Sequence, residues 1–247
     1  MCGIAGISEE NLGLVENMIS KIDHRGPDDR GVFSEPGVTL GHCRLSIQDL
    51  SYAGHQPMKS STGRYTIVFN GEIYNFKKLR TNIKPNHKFI SGTDTEVILE
   101  LFEEYGLNCL NKISGIYAFA IWDALKKELI LSRDKVGVKP LYYAYLDGKI
   151  IFSSEMKSLY SLMPKKQINI NALNCYFRLG YVTGEETIWQ GIKRLLPGNT
   201  IIFSKGKEKR IASDKQISIP KLKNIEDAKS FIPKLLNEVM KDQMISD

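Results

Sequence analysis

Two short runs rich in aromatic and branched residues, LYYAY at 141–145 and KIIFS at 149–153, are separated by Leu146-Asp147-Gly148. Asp-Gly between such runs reads as a tight hairpin, so this stretch predicts an antiparallel pair of strands. Similar runs recur at 65–69, 116–122, 128–132 and 200–203, the last entered from the turn Leu196-Pro197-Gly198-Asn199. Residues 38–47 read as a further strand, with Leu45 and Ile47 on one face and Arg44 and Ser46 on the other. Helical spacing is confined to a few segments. Leu12, Val15, Ile19 and Ile22 predict a helix ending near Asp23, and another runs from about Asn171 to Gly180. Ala228, Ile232, Leu235, Leu236, Val239 and Met240 share one face of a last helix. Many hairpin-linked strands with helices kept apart from them predict an α+β fold, two antiparallel sheets face to face with the helices outside.

With 247 residues, 42% hydrophobic and 25% charged, the chain has the ordinary globular composition of one large or two small domains. Its start lacks a basic stretch followed by an apolar core, and no run approaches the ~20 apolar residues of a membrane span, so a cytoplasmic protein is expected. Cys2, Cys43, Cys109 and Cys175 are scattered without a C-x-x-C pair, and His24, His42, His55 and His87 lack ligand spacing. Zinc, disulfides and metal binding are therefore not expected, and Cys43, Cys109 and Cys175 read as inert core residues. Much of the net charge of +6 sits at 205–210 and continues through Lys215, Lys221 and Lys223. Without interleaved aromatic residues, that stretch reads as a solvated linker or interface face and not as a nucleic-acid site. There is no G-x-x-x-x-G-K-[ST] phosphate loop.

The chemistry is concentrated elsewhere. If Met1 is removed, Cys2 carries both a thiol and the α-amino group that can deprotonate it. A free α-amine titrates near ~8 and a thiol near ~8.5, which makes proton exchange between them almost isoenergetic. Read alone, Cys2 could equally be a small buried residue on a first strand. His24-Arg25-Gly26-Pro27-Asp28-Asp29-Arg30-Gly31 is expected to run over the surface or line a cleft. A loop at 49–61 contains Gly54-His55-Gln56-Pro57. The strand at 65–69 runs into Asn70-Gly71-Glu72-Ile73-Tyr74-Asn75. Asn-Gly is a turn signal, but Gly71 also offers a backbone N–H and Asn70 a side-chain amide, two neutral donors side by side for an oxyanion. Thr93-Asp94-Thr95-Glu96 matches a capping box opening a helix that Gly106 closes. Asp94 falls in its first turn, where the helix dipole favours the ionised form.

Taken together, Cys2-Gly3-Ile4-Ala5-Gly6-Ile7, His24-Arg25-Gly26-Pro27-Asp28-Asp29, Arg44-Leu45-Ser46-Ile47, Asn70-Gly71-Glu72-Ile73-Tyr74-Asn75, Ser91-Gly92-Thr93-Asp94-Thr95-Glu96, Arg133-Asp134 and Lys139-Pro140-Leu141-Tyr142-Tyr143 resemble the class II glutamine amidotransferase domain of glutamine-hydrolysing asparagine synthetases. The resemblance runs from Cys2 to about Phe203. It implies a four-layer αββα N-terminal-nucleophile hydrolase sandwich that hydrolyses glutamine to glutamate and ammonia. It also implies roles: Cys2 as nucleophile, Asn70 and the Gly71 N–H as oxyanion hole, Arg44 for the substrate α-carboxylate, Glu72 and Asp94 for its α-ammonium. Such an allocation suits a zwitterion, which asks for a guanidinium on one side and carboxylates on the other. Cys43 and Gln48 depart from the family's usual residues, at positions without a catalytic role.

In the family a synthetase domain follows, with an S-G-G-x-D-S loop for ATP, and this sequence ends before any such loop. The expected organisation is a glutaminase domain at 2–205, a basic linker at 206–223 and the start of a synthetase domain at 224–247. No cofactor is expected for this chain itself, ATP and Mg belonging to the synthetase domain. The expected partners are glutamine and a C-terminal synthetase domain or subunit, with a homodimer left open. Three other readings stay open: an N-terminal-nucleophile amidase for a different amide, a catalytically silent glutamine-binding regulatory module, and an amidotransferase serving a sugar or glycan precursor.

Overall fold

The computed structural model describes residues 1–83, 87–212, 222 and 224–244. Its strands are β1 (Gly3–Ile7), β2 (Asp29–Glu35), β3 (Val38–Arg44), β4 (Met58–Lys59), β5 (Tyr65–Ile73), β6 (Gly115–Asp123), β7 (Glu128–Arg133), β8 (Tyr142–Leu146), β9 (Lys149–Ser153), β10 (Ile192–Arg194), β11 (Asn199–Ser204) and β12 (Lys207–Ala212). The helices are α1 (Leu12–Ser20), α2 (Phe76–Asn82), α3 (Asp94–Tyr105), α4 (Met156–Tyr160), α5 (Ile170–Leu179) and α6 (Ile225–Gln243). The strands form two six-stranded antiparallel sheets, ordered β10-β8-β9-β1-β3-β2 and β12-β11-β7-β6-β5-β4.

Strand alternation assigns the layers. Ile4, Val38 and Leu40 of the first sheet meet Val68, Ala118, Ala120 and Leu131 of the second in one buried core. On the opposite face of the first sheet, Ala5, Ile7 and Cys43 pack on Val15, Met18 and Ile19 of α1 and Leu159 of α4. On the opposite face of the second, Ile67, Phe69 and Ile121 pack on Val97, Ile98, Leu101 and Phe102 of α3. The order is helix, sheet, sheet, helix, the expected αββα sandwich.

β1 is a central strand, pairing with β3 from Gly3↔Cys43 to Ile7↔Thr39 and with β9 from Ala5↔Ser153 to Ile7↔Ile151. Gly6 permits this close fit: a Cβ there would lie 2.6 Å from the Thr39 carbonyl oxygen and 2.7 Å from the Phe152 ring. The Ile4 N–H donates to Ser154 Oγ (3.0 Å), and the Ser154 N–H donates back to the Ile4 carbonyl (2.8 Å). The chain start is thereby locked at the end of a buried strand, leaving Cys2 at the sheet margin.

Several local expectations give way to tertiary pairing. Asn70-Gly71 makes no turn, because β5 continues through it, paired with β6 from Tyr65↔Asp123 to Ile73↔Gly115. β3 stops at Arg44, so Leu45 and Ile47 leave the sheet. α1 ends at Ser20, and Asp23–Arg25 forms a separate 3₁₀ turn. Asp29, Arg30 and Gly31, expected in a loop, open β2 opposite Arg44, Cys43 and His42. Cys43 and Cys109 are buried, but Cys175 is only half-buried on α5, within 3.5 Å of the Tyr181 carbonyl and Thr183 Oγ1.

The expected linker is partly a strand. β12 pairs with β11 from Ser204↔Lys207 to Asn199↔Ala212, and Arg210 reaches across to Glu185 and the Tyr143 hydroxyl. Residues 213–221 and 223, with Lys215, Lys221 and Lys223, lie outside the described residues. α6 is capped by Asn224, whose Oδ1 accepts the Asp227 N–H (2.8 Å), and none of its residues is buried. The apolar face formed by Ile232, Leu235, Leu236, Val239 and Met240 is 41–59% exposed. No described helix is long and apolar enough to cross a membrane.

Candidate active site

The faces that carry Leu40 and Val68 also carry Arg44, Asn70 and Glu72, two or four residues further along, and Cys2 lies two residues ahead of Ile4, just before β1. Period-two alternation therefore points all four side chains into the space between the sheets. They meet at one end of the sandwich. Cys2, Arg44, Gly71 and Glu72 line a cleft of about 440 Å³, including its solvent-open part, and Asp94 joins them from the N-terminus of α3. The Asn70 side chain is buried beside it, and its Nδ2 has no hydrogen-bond partner. An orphaned buried donor costs stability, and such costs persist where a ligand supplies the missing acceptor.

Gly71 owes its place to two close approaches. A Cβ there would sit 2.3 Å from the Ile116 carbonyl oxygen and 2.7 Å from Tyr117 Cα. β4 pairs with β5 only at Thr66 and Ile67, so the outer edge of β5 is open beyond that point. Along this edge the Phe69 N–H donates to Gln56 Oε1 (2.7 Å) and the Ile73 N–H to Asp94 Oδ2 (2.8 Å). Alternation turns the Gly71 N–H to the same edge, between these two.

Arg44 is buried, and its guanidinium binds the loop that follows: Nη1 donates to the Ser51 carbonyl (3.0 Å), Nη2 to those of Gln48 (3.3 Å) and Asp49. Gly54 makes room for it, since a Cβ there would lie 2.0 Å from Nη2. These three bonds engage three of the five N–H groups of the guanidinium fork, which also lines the cleft. Asp49 extends the tie, accepting the Gly92 N–H (2.6 Å) two residues before Asp94.

The thiol and the amine depart from the near-matched pair expected of free groups. Burial pushes the Cys2 thiol up, against the Leu45 N–H donated to Sγ (3.4 Å) and the positive chain terminus, Arg44 and Lys139. Burial also lowers the terminal amine, carried here by Met1. The resting pair is thus biased toward its neutral form. Asp94 departs further. The helix dipole favours its charge, yet full burial, reinforced by Glu72, drives its pKa up to about 7. Desolvation outweighs the dipole. The capping box is also only half formed: Thr93 Oγ1 accepts the Glu96 N–H (3.4 Å), while the Glu96 carboxylate takes the N–H groups of Ile90 (2.8 Å) and Ser91 (2.7 Å) in place of Thr93.

All six site residues expected from the sequence, Cys2, Arg44, Asn70, Gly71, Glu72 and Asp94, are thus brought to one cleft or its wall. Further residues support these six. Arg25 donates from Nε to the Cys2 carbonyl (3.0 Å), and Asp28 Oδ2 accepts the Ser46 N–H (2.7 Å), so the charged 24–29 segment braces both Cys2 and the chain after Arg44. His42 and Gln56, which hold the Phe69 backbone, gave no local signal beyond the even spacing of His42 with Arg44. Among the described residues no His, Cys, Asp and Glu side chains form a metal-binding group.

The αββα sandwich is a fold shared with a solved glutamine amidotransferase. The chain belongs to the glutamine amidotransferase domain family, whose model matches residues 1–213. It is 32% identical to asparagine synthetase [glutamine-hydrolyzing] 3 of Bacillus subtilis over all of this chain and 42% of that protein. A Methanocaldococcus jannaschii relative, provisionally named as a glutamine-hydrolysing asparagine synthetase, is 37% identical over all of this chain and 53% of its own length. The chain spans about half the length of these relatives. The fold matches a solved glutamine phosphoribosylpyrophosphate amidotransferase of B. subtilis with a TM-score of 0.64 at 19% identity, covering 87% of this chain and 50% of that one.

Proposed function

We propose that this chain hydrolyses glutamine to glutamate and ammonia with Cys2 as nucleophile, once Met1 is removed. The observation that carries this reading is the convergence of a thiol, a guanidinium, two carboxylates and an orphaned amide donor on one cleft. Arg44 and the pair Glu72 and Asp94 suit the two ends of an amino acid and leave its uncharged side-chain amide to face the thiol. Arrival of an ammonium beside Asp94 would favour the ionised carboxylate that burial disfavours.

In this reading the Cys2 α-amine takes the thiol proton as sulfur attacks the amide carbon. A C–S bond forms, and the electron pair of the C=O bond moves to oxygen, where Asn70 Nδ2 and the Gly71 N–H stabilise it. Collapse restores the C=O bond and expels ammonia, which leaves with the proton that the Cys2 α-amine took from the thiol. Water then attacks the γ-glutamyl thioester, giving its proton to the amine, and departure of the thiolate releases glutamate.

The relatives' names favour delivery of this ammonia to an asparagine-forming synthetase domain. The sequence resemblance adds that this domain would use ATP to amidate aspartate, in the cytoplasm. ATP and Mg would serve that domain and take no part in the hydrolysis of glutamine. The organisation that fits is a glutaminase domain extended to β12, followed by a segment whose exposed α6 face is covered by the synthetase domain. The test is an ATP-free glutaminase assay on untagged protein whose intact mass shows loss of Met1. Turnover by the wild type and none by Cys2→Ala is expected; equal rates in the two would overturn the reading.

A further inference from the structure

Gln56 touches three parts of the molecule at once. Its backbone lies hard against β2, where a Cβ on Gly31 would come 2.2 Å from the Gln56 carbonyl oxygen. Its side chain is buried, with Oε1 accepting the Phe69 N–H (2.7 Å) and Nε2 donating to Thr95 Oγ1 (3.2 Å). Phe69 immediately precedes Asn70, and Thr95 immediately follows Asp94. One planar amide therefore spans from the strand that carries the two oxyanion donors to the helix turn that carries the ammonium-binding carboxylate.

This span sits where β5 lacks a strand partner, since β4 ends its pairing at Ile67. The Phe69 carbonyl, on the same edge, is taken by His42 Nε2 (3.1 Å). A carbonyl only accepts, so Nε2 carries the proton; burial pushes the imidazole down to about 3 and keeps it neutral. Both polar groups of the Phe69 backbone are thus met by side chains in place of a neighbouring strand.

Resting on the glutaminase reading, we infer that Gln56, assisted by His42, is the positioning residue that aligns Asn70 and the Gly71 N–H with Asp94 for the tetrahedral intermediate. Without its amide, the open stretch of β5 loses its lateral anchor one residue before the oxyanion donors. Donor alignment within a few tenths of an ångström then rests on β6, with the edge held only at the Phe69 carbonyl by His42 and at the Ile73 N–H by Asp94. Gln56 lines the cleft, but its side-chain hydrogen bonds go to Phe69 and Thr95 and not to the sulfur or the guanidinium, so the effect falls on the oxyanion-forming step.

The experiment compares the wild type, Gln56→Met and Gln56→Glu, each shown by intact mass to have lost Met1. It reads glutaminase kcat and KM, the rate of Cys2 alkylation by iodoacetamide, and the melting temperature. Alkylation displaces iodide at a saturated carbon and forms no oxyanion. The expected result for Gln56→Met is a kcat lowered about tenfold or more, a KM within about threefold, and an alkylation rate near that of the wild type. Gln56→Glu, which keeps an acceptor for the Phe69 N–H, recovers most of kcat. An unchanged kcat in Gln56→Met, no recovery in Gln56→Glu, or parallel loss of kcat, alkylation and melting temperature would overturn the inference. Absence of turnover in the wild type would instead overturn the functional reading.

Discussion

Arg25 donates from Nε to the carbonyl oxygen of Cys2 at 3.0 Å, while its Nη1 holds Glu155 at 3.1 Å. The Arg25 side chain is 9% exposed, so this bridge fixes the peptide unit that carries the thiol from inside the protein. Lysine cannot span both partners with one ammonium. Arg25→Lys is expected to lower glutaminase kcat more than it raises KM, and to reduce stability by roughly 1–3 kcal/mol, the range for a buried hydrogen bond to a charged group. Steady-state kinetics and urea unfolding of the same preparation check both halves.

Asn70 separates activity from stability. Its Nδ2 is buried without a partner, so Asn70→Ala removes a group that the resting fold does not satisfy. The expected change in unfolding free energy is within about 1 kcal/mol, while kcat falls by about 10²–10³, the usual loss for one oxyanion donor. A loss confined to KM would contradict the oxyanion role.

Asp94 makes stability depend on pH in an unusual direction for a carboxylate. Its folded pKa is raised to about 7 from an unperturbed 3.8, so between these values the folded state holds the proton more tightly than the unfolded one. Its contribution is therefore least unfavourable below about pH 4, and stability falls as pH rises toward 7. Asp94→Asn, whose amide oxygen can still accept the Ile73 N–H, is expected to be more stable than the wild type at pH 8 by roughly 1–3 kcal/mol. The advantage should vanish near pH 4, which denaturation at the two pH values tests. The same variant should bind glutamine poorly. In the wild type, kcat/KM should fall as pH drops through about 7, because protonated Asp94 offers no charge to the ammonium.

β12 extends the second sheet past residue 205. A chain stopping at residue 205 loses the β11 pairing of Lys207–Ala212 and the contacts of Arg210 with Glu185 and Tyr143, and exposes β11 as a sheet edge. It is expected to melt lower and to self-associate, whereas a chain ending at residue 213 behaves as a monodisperse domain. Thermal unfolding and size-exclusion chromatography distinguish the two.

The sequence alone determined most of the sandwich, and named six residues that the fold brings to one cleft or its wall. The Asp147-Gly148 hairpin forms with φ of 48° and 75° at its two central residues, because local stereochemistry suffices to specify such a turn. Cys2, Asn70 and Gly71 were legible as candidates from their own chemistry, whereas Arg44, Glu72 and Asp94 entered through the resemblance of their motifs to a family that binds a zwitterionic amide. Tertiary structure decided what local chemistry leaves open. Lys207–Ala212 is charged enough to read as linker, and becomes β12 because β11 offers it a hydrogen-bonding edge and Glu185 a partner for Arg210. Asn70-Gly71 has the composition of a turn, and stays extended because β6 pairs with β5 along its whole length. Asp94 has the position of an ionised helix-capping carboxylate, and is pushed toward neutrality because its burial and the charge of Glu72 come from residues brought in by the fold. Dipoles, caps and turns act over a few residues and can be read along the chain; desolvation and edge pairing are set by what the rest of the molecule brings alongside.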